Sequence, residues 1–97
     1  MPLWVTIDLP IQPERRDEFL ELIRETAPDT RAYDGCELFD IYLDQDVAGR
    51  VLFYERWESK EKQEKYIAWR TETGSMDLLG EYLAGEPTFS YFEKFDG

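Results

Sequence analysis

Histidine is absent from the 97 residues, and cysteine occurs once, as Cys36. The first absence removes the commonest metal ligand and the commonest general base. The second rules out an intrachain disulfide and a cysteine-built metal site. Basic residues are also few: 11 Lys and Arg stand against 22 Asp and Glu, a formal net charge of −11. A field of that sign repels phosphate backbones and anionic lipid, so neither nucleic acid nor a membrane is expected as a partner. No apolar run approaches the ~20 residues that span a bilayer. The opening Met1-Pro2-Leu3-Trp4 lacks the charged and apolar segments of a signal peptide, and a cytoplasmic location is the expectation. Aromatic residues, by contrast, make up 15% of a chain that is 42% hydrophobic, a composition that folds. One domain over residues 1–97 is expected. A domain of this size removes only roughly 60–65% of its unfolded surface from water, so its core is thin and a partner chain would help it.

Leu3, Val5, Ile7 and Leu9 alternate with Trp4, Thr6 and Asp8, the period of two that marks a strand. Pro10 and Pro13 end it, and Pro13 suits the first turn of a helix. From Glu14 to Ala27, Phe19, Leu20, Leu22, Ile23 and Ala27 make one apolar stripe on a charged helix. Pro28 is expected to stop that helix, with a loop over 29–35 ending in Asp34-Gly35. Cys36 to Leu43 reads as a second strand, with Cys36, Leu38, Asp40 and Tyr42 on one face. Asp44 to Gly49 reads as a hairpin loop and Arg50 to Trp57 as a third strand. Ser59 is a plausible N-cap for a helix running to about Thr73, with Gly74 as its C-terminal cap. Ser75 to Leu83 suggests a short extra helix, Ala84 to Pro87 a turn, and Thr88 to Phe95 the last strand. The order βαββαβ is that of an α+β, ferredoxin-like fold.

Such a sheet carries both helices on one face and leaves the other to water, which calls for clean alternation of apolar and polar residues. The third strand instead places Val51, Phe53 and Trp57 on one side and Leu52 and Tyr54 on the other. The last strand places Phe89, Tyr91 and Phe95 on one side and Phe92 on the other. An apolar second face marks an interface or a ligand site. Packing two copies sheet against sheet would cover it by two-fold symmetry, and a homodimer is expected.

The runs Gly35-Cys36-Glu37-Leu38-Phe39 and Phe53-Tyr54-Glu55-Arg56-Trp57-Glu58-Ser59, the second leading into a helix, resemble the antibiotic biosynthesis monooxygenase domain. The resemblance covers nearly the whole chain. It implies a dimeric α+β barrel related to cofactor-free quinol monooxygenases and to haem-degrading proteins. The family's second helix commonly carries a histidine nine residues after the tryptophan of that run, and here the matching position is Tyr66. With that histidine goes the expected axial ligand for haem, so neither metal nor another cofactor is expected.

Tyr66, Trp69 and Arg70 share one side of the second helix. They can wall a pocket, with rings sandwiching a flat substrate and Arg70 holding an oxyanion. Equally, the rings can be plain core, with Arg70 paired to Glu55 or Glu72. Glu55 lies mid-strand among Val51, Phe53 and Trp57. On an apolar face a carboxylate is costly unless paired. It is either a general base with a raised pKa or one half of an ion pair with Arg50, Arg56 or Arg70. The catalytic candidates are therefore Tyr66, Glu55 and Arg70, and the substrate-binding candidates Trp69, Trp57 and Trp4, with Trp4 alternatively at the dimer interface. Asp44 and Asp46 lack the spacing of a calcium loop and read as a solvated turn. Cys36 has no cationic neighbour in sequence and reads as a small hydrophobe. The leading expectation is a cofactor-independent monooxygenase acting on a small electron-rich aromatic, a quinol or polyphenol. The alternative is a non-catalytic dimeric barrel that binds a small hydrophobic metabolite.

Overall fold

The computed structural model describes residues 2–96. Strand β1 (Leu3–Pro10) leads through a 3-10 turn at Pro13–Arg15 into helix α1 (Arg16–Arg31). Strands β2 (Cys36–Leu43) and β3 (Arg50–Trp57) follow, then helix α2 (Lys60–Glu72), the short helix α3 (Ser75–Gly80) and strand β4 (Thr88–Phe92). The four strands form one sheet in the order β2-β3-β1-β4, with every neighbouring pair antiparallel. This is the α+β, ferredoxin-like arrangement expected from the order of elements.

The alternation in β1 and β3 does what a period of two requires. Val5, Ile7, Leu9, Val51, Phe53 and Trp57 point to the helix side and are buried there with Phe19, Ile23 and Ala27 of α1. In register, Val5 stands opposite Glu55 and Ile7 opposite Phe53. At the start of α2 the Ser59 hydroxyl accepts the backbone N–H of Lys62 at 3.2 Å, the N-cap that its position suggested. Gly74 takes φ +79° just beyond the helix, a left-handed conformation that glycine adopts without strain.

Four expectations need correction. Pro28 does not stop α1, which runs on to Arg31 with the proline inside it. Its last turn is held from outside, because Thr30 is buried and bonded to α2. Cys36 does not share a face with Leu38. A bulge between them pairs Cys36 with Trp57 and Leu38 with Arg56, and the extra residue turns Cys36 to the helix side. There burial pushes its thiol pKa up. The extra helix ends at Gly80 rather than Leu83, and Leu83 bridges back to Ile11. The last strand ends at Phe92, leaving Phe95 beyond the sheet and fully exposed.

Candidate functional site

Between the sheet and the helices lies a partly open cavity of about 250 Å³. The sheet contributes Ile7, Phe39, Phe53, Glu55 and Phe89 to its wall, and α1 contributes Leu22, Ile23, Thr26 and Thr30. Tyr66, Ile67 and Arg70 of α2 form a third side. Met76, Leu78 and Leu79 of α3, with Leu83 and Pro87 beyond it, form the fourth. The wall is apolar except for Glu55, Thr26, Thr30, Tyr66, Arg70 and Ser75.

Glu55 is 2% exposed. Its Oε1 accepts the indole Nε1–H of Trp57 at 2.8 Å. Among the described residues no cation reaches it. Arg50 is engaged by Asp8 and Asp44, and Arg56 by Glu37. Arg70 binds hydroxyls and a carbonyl instead of a carboxylate. Burial raises the Glu55 pKa from 4.5 to about 7, and the single bond from Trp57 offsets only part of that effect. Both protonation states of this carboxyl are therefore populated near neutral pH.

Arg70 is 8% exposed. Its Nε donates to Tyr66 Oη at 2.9 Å, and its Nη2 donates to Thr30 Oγ1 at 2.9 Å and to the Thr26 carbonyl at 3.2 Å. Thr30 Oγ1 and Tyr66 Oη lie 2.7 Å apart. Burial keeps the Tyr66 phenol above its usual pKa, against the opposing pull of Thr30 and Arg70, so Tyr66 is a neutral hydroxyl. Its ring is fixed by Trp57 at 5.0 Å and Tyr33 at 5.2 Å between centroids. The guanidinium of Arg70 sits over the Trp69 ring at 4.6 Å, a cation–π contact that helps hold a buried cation without an anion.

Glu55, Tyr66 and Arg70 thus line one cavity, from the sheet and from α2, whereas the three tryptophans do not. Trp57 is fully buried behind Glu55 and orients its carboxylate. Trp69 stacks on Tyr33 at 5.2 Å and backs Arg70. Trp4 pairs with Arg56 and Phe92 in the sheet and lies on the outer face beside Tyr54 and Arg56. Alternation sends it there, because Leu3 and Val5 take the inner side. Sequence reasoning missed Thr26 and Thr30. Their i, i+4 spacing puts both on one helix face, but it marks no site until α1 and α2 are packed. Asp44 behaves as a turn residue, its Oδ1 accepting the backbone N–H groups of Asp46 and Val47 at 2.8 and 2.9 Å. Among the described residues no three His, Cys, Asp or Glu side chains converge as a metal site would require, and no helix is long and apolar enough to cross a membrane.

The family model for antibiotic biosynthesis monooxygenase matches residues 2–74. The chain belongs to that family. The matched stretch holds Glu55, Tyr66 and Arg70, while α3 and β4 lie beyond it. An antibiotic biosynthesis monooxygenase of known structure is 26% identical and superposes with a TM-score of 0.88, over 97% of this chain and 99% of that one. A protein of Mycobacterium tuberculosis is 23% identical, with a TM-score of 0.87 over 100% and 98%. A conserved protein of Methanosarcina mazei is 20% identical, with a TM-score of 0.88 over 97% and 93%. The two at lower identity show the fold. An uncharacterized protein of Synechocystis is 25% identical over 59 residues, which are 61% of this chain and 40% of that protein. The match thus spans less than half the length of that curated relative.

Proposed function

We propose that this antibiotic biosynthesis monooxygenase family member is a cofactor-independent monooxygenase of a small electron-rich aromatic, a quinol or polyphenol. The observation that carries the reading is a buried, cation-free carboxyl lining the same apolar cavity as the Tyr66–Arg70 pair. The overall reaction balances as quinol plus dioxygen giving hydroxyquinone plus water, with the quinol supplying all four electrons. Ionised Glu55 takes the phenolic proton, a step suited to a base titrating near the working pH. The O–H of Tyr66, backed by the charge of Arg70, stabilises the resulting oxyanion. The electron-rich anion reduces dioxygen and bonds to it at a ring carbon. The O–O bond then breaks as the ring carbon gives up its hydrogen as a proton and keeps its oxygen as a carbonyl, and that proton, with the one that Glu55 returns, completes the leaving oxygen as water. The apolar remainder of the cavity excludes bulk water and strengthens each of these interactions.

The functional unit in this proposal is a homodimer. Trp4, Leu52, Tyr54 and Phe92 lie on the sheet face away from the helices, partly or wholly exposed. A second copy covering them would bury at least the ~1,000 Å² of a specific interface. Light scattering after size exclusion at micromolar concentration should give twice the chain mass, and a clean monomer would overturn this part. Oxygen uptake with a panel of quinols and polyphenols tests the chemistry. Uptake above the buffer rate is expected. If the wild type consumes no oxygen yet binds these compounds saturably, a binding module replaces the oxygenase reading.

A further inference from the structure

The hydroxyls of Thr30 and Tyr66 carry one proton more than their protein surroundings accept. Each oxygen already accepts from Arg70, Tyr66 Oη from Nε and Thr30 Oγ1 from Nη2. The two hydroxyls, 2.7 Å apart, share a single bond in which either is able to donate. Whichever way that bond runs, one O–H proton is left over. Thr26 and Thr71 turn their hydroxyls back onto the carbonyls of Ile23 and Ile67. Among the described residues Thr30 and Tyr66 have no such outlet and bond only each other and Arg70. Both are buried, at 2% and 8% exposure, where an unmatched donor is costly. Both also line the cavity, so the acceptor that the protein lacks is one that the cavity's occupant can bring.

We propose that Thr30 and Tyr66 form a paired donor to the cavity, in which either hydroxyl supplies the spare proton, and that the pair selects ligands presenting an anionic oxygen of the phenolate type. This rests on reading the cavity as a ligand site and deepens it, because Thr30 joins Tyr66 in meeting the ligand oxygen. Both hydroxyl oxygens accept from the Arg70 guanidinium, so the spare O–H stands one bond from a full positive charge in either arrangement. A donor polarised in this way favours an anion over a neutral acceptor. A pair also behaves differently from a single donor. Without the Thr30 hydroxyl, the Tyr66 proton has only the cavity to turn to. Without the Tyr66 hydroxyl, the same holds for the proton of Thr30.

The test is binding, not turnover, with para-nitrophenol as the probe, because its phenolate is yellow and its phenol is not. It is run at slightly acid pH, below the Glu55 midpoint of about 7, where that carboxyl is mostly neutral. Bound to the wild type, the probe should show the phenolate band at a pH where the free probe is mostly phenol. Thr30→Val and Tyr66→Phe should each weaken this preference by less than about three-fold, because the other hydroxyl takes over. The two substitutions together should weaken it roughly ten- to hundred-fold, the scale of one hydrogen bond to a charged group and a non-additivity expected of coupled neighbours. If the doubly substituted protein does not fold, Arg70→Met is compared with Arg70→Met carrying both substitutions, which leaves no guanidinium donor stranded, and the same factor is expected between them. Absence of saturable binding to the wild type would overturn the proposal. So would a single variant as impaired as the double one, since that residue would then be the sole donor, or a double variant as selective as the wild type. Paired behaviour without oxygen uptake on quinols defeats only the oxygenase reading. Oxygen uptake by the wild type, with phenolate preference lost in one single variant, defeats only this one.

Discussion

On the outer face of the sheet Arg50 reaches Asp8 at 2.7 Å and Asp44 at 2.9 Å, and Arg56 reaches Glu37 at 3.1 Å. On the helix face Glu55 and Arg70, far more deeply buried, make no ion pair among the described residues. Desolvation would favour the opposite arrangement, since a charge costs most where water is absent and a partner is worth most there. A fold selected for stability alone would pair the buried charges or replace them with hydrocarbon. Here each one is held by neutral groups: Glu55 by an indole N–H, and Arg70 by two hydroxyls, a carbonyl and an aromatic face. A carboxyl so held keeps a proton to exchange, and a guanidinium so held keeps a charge to share with whatever enters the cavity.

The largest expected effect falls on turnover. Glu55→Gln keeps the shape and the Trp57 bond but cannot take a proton, so oxygen uptake should fall about a hundred- to ten-thousand-fold, the range of general-base catalysis. Uptake within a factor of a few of wild type would remove Glu55 from the chemistry.

The same substitution should act the other way on stability. The folded-state pKa of about 7 lies above the ordinary 4.5, so between these values the native state binds more protons than the unfolded chain. Stability from this group is full below pH ~4.5 and is lost as pH rises through about 7, a difference of about 3 kcal/mol. Urea unfolding of both proteins at equal concentration, from pH 5 to pH 8, should show Glu55→Gln gaining on wild type as pH rises. Parallel curves would mean that the carboxylate is solvated or paired.

A smaller gain is expected at Gln63, one turn before Tyr66. It is 2% exposed, and among the described residues its Nε2 has no hydrogen-bond partner. Gln63→Met should stabilise the protein by about 1–2 kcal/mol, the cost of an unmatched buried donor. A destabilised variant would show that the amide has a partner after all. The smallest effect belongs to the outer face. Arg56→Met removes an exposed ion pair of a kind that contributes little, so the urea midpoint should stay within error, and a large drop would erase the contrast between the faces.

The strands and their inward residues were legible because alternation in β1 and β3 is strong and the register leaves no choice of face. The bulge after Cys36 was not, since one extra residue changes the face without changing the composition. Pro28 was misread as a stop because what carries α1 past it is a contact with α2, 36 residues further along the chain. The site was half visible. Glu55 stood out as a carboxylate on an apolar face, but neither its lack of a partner nor the position of Trp57 behind it follows from spacing. Thr30 has no meaning until α1 and α2 are packed. A clearer signal lay in α2, whose buried positions Gln63, Tyr66 and Arg70 are largely polar. Of these, Tyr66 and Arg70 line the cavity, whereas Gln63 does not.

The ionisation of Glu55 can be observed directly. Carboxyl-stretch infrared difference spectra of wild type minus Glu55→Gln, recorded across a pH series, isolate this one group. A midpoint near 7, well above the ordinary value of 4.5, is predicted for a buried carboxyl with one indole donor and no cation. A midpoint in the ordinary carboxylate range would contradict it and leave the cavity with only a weak base.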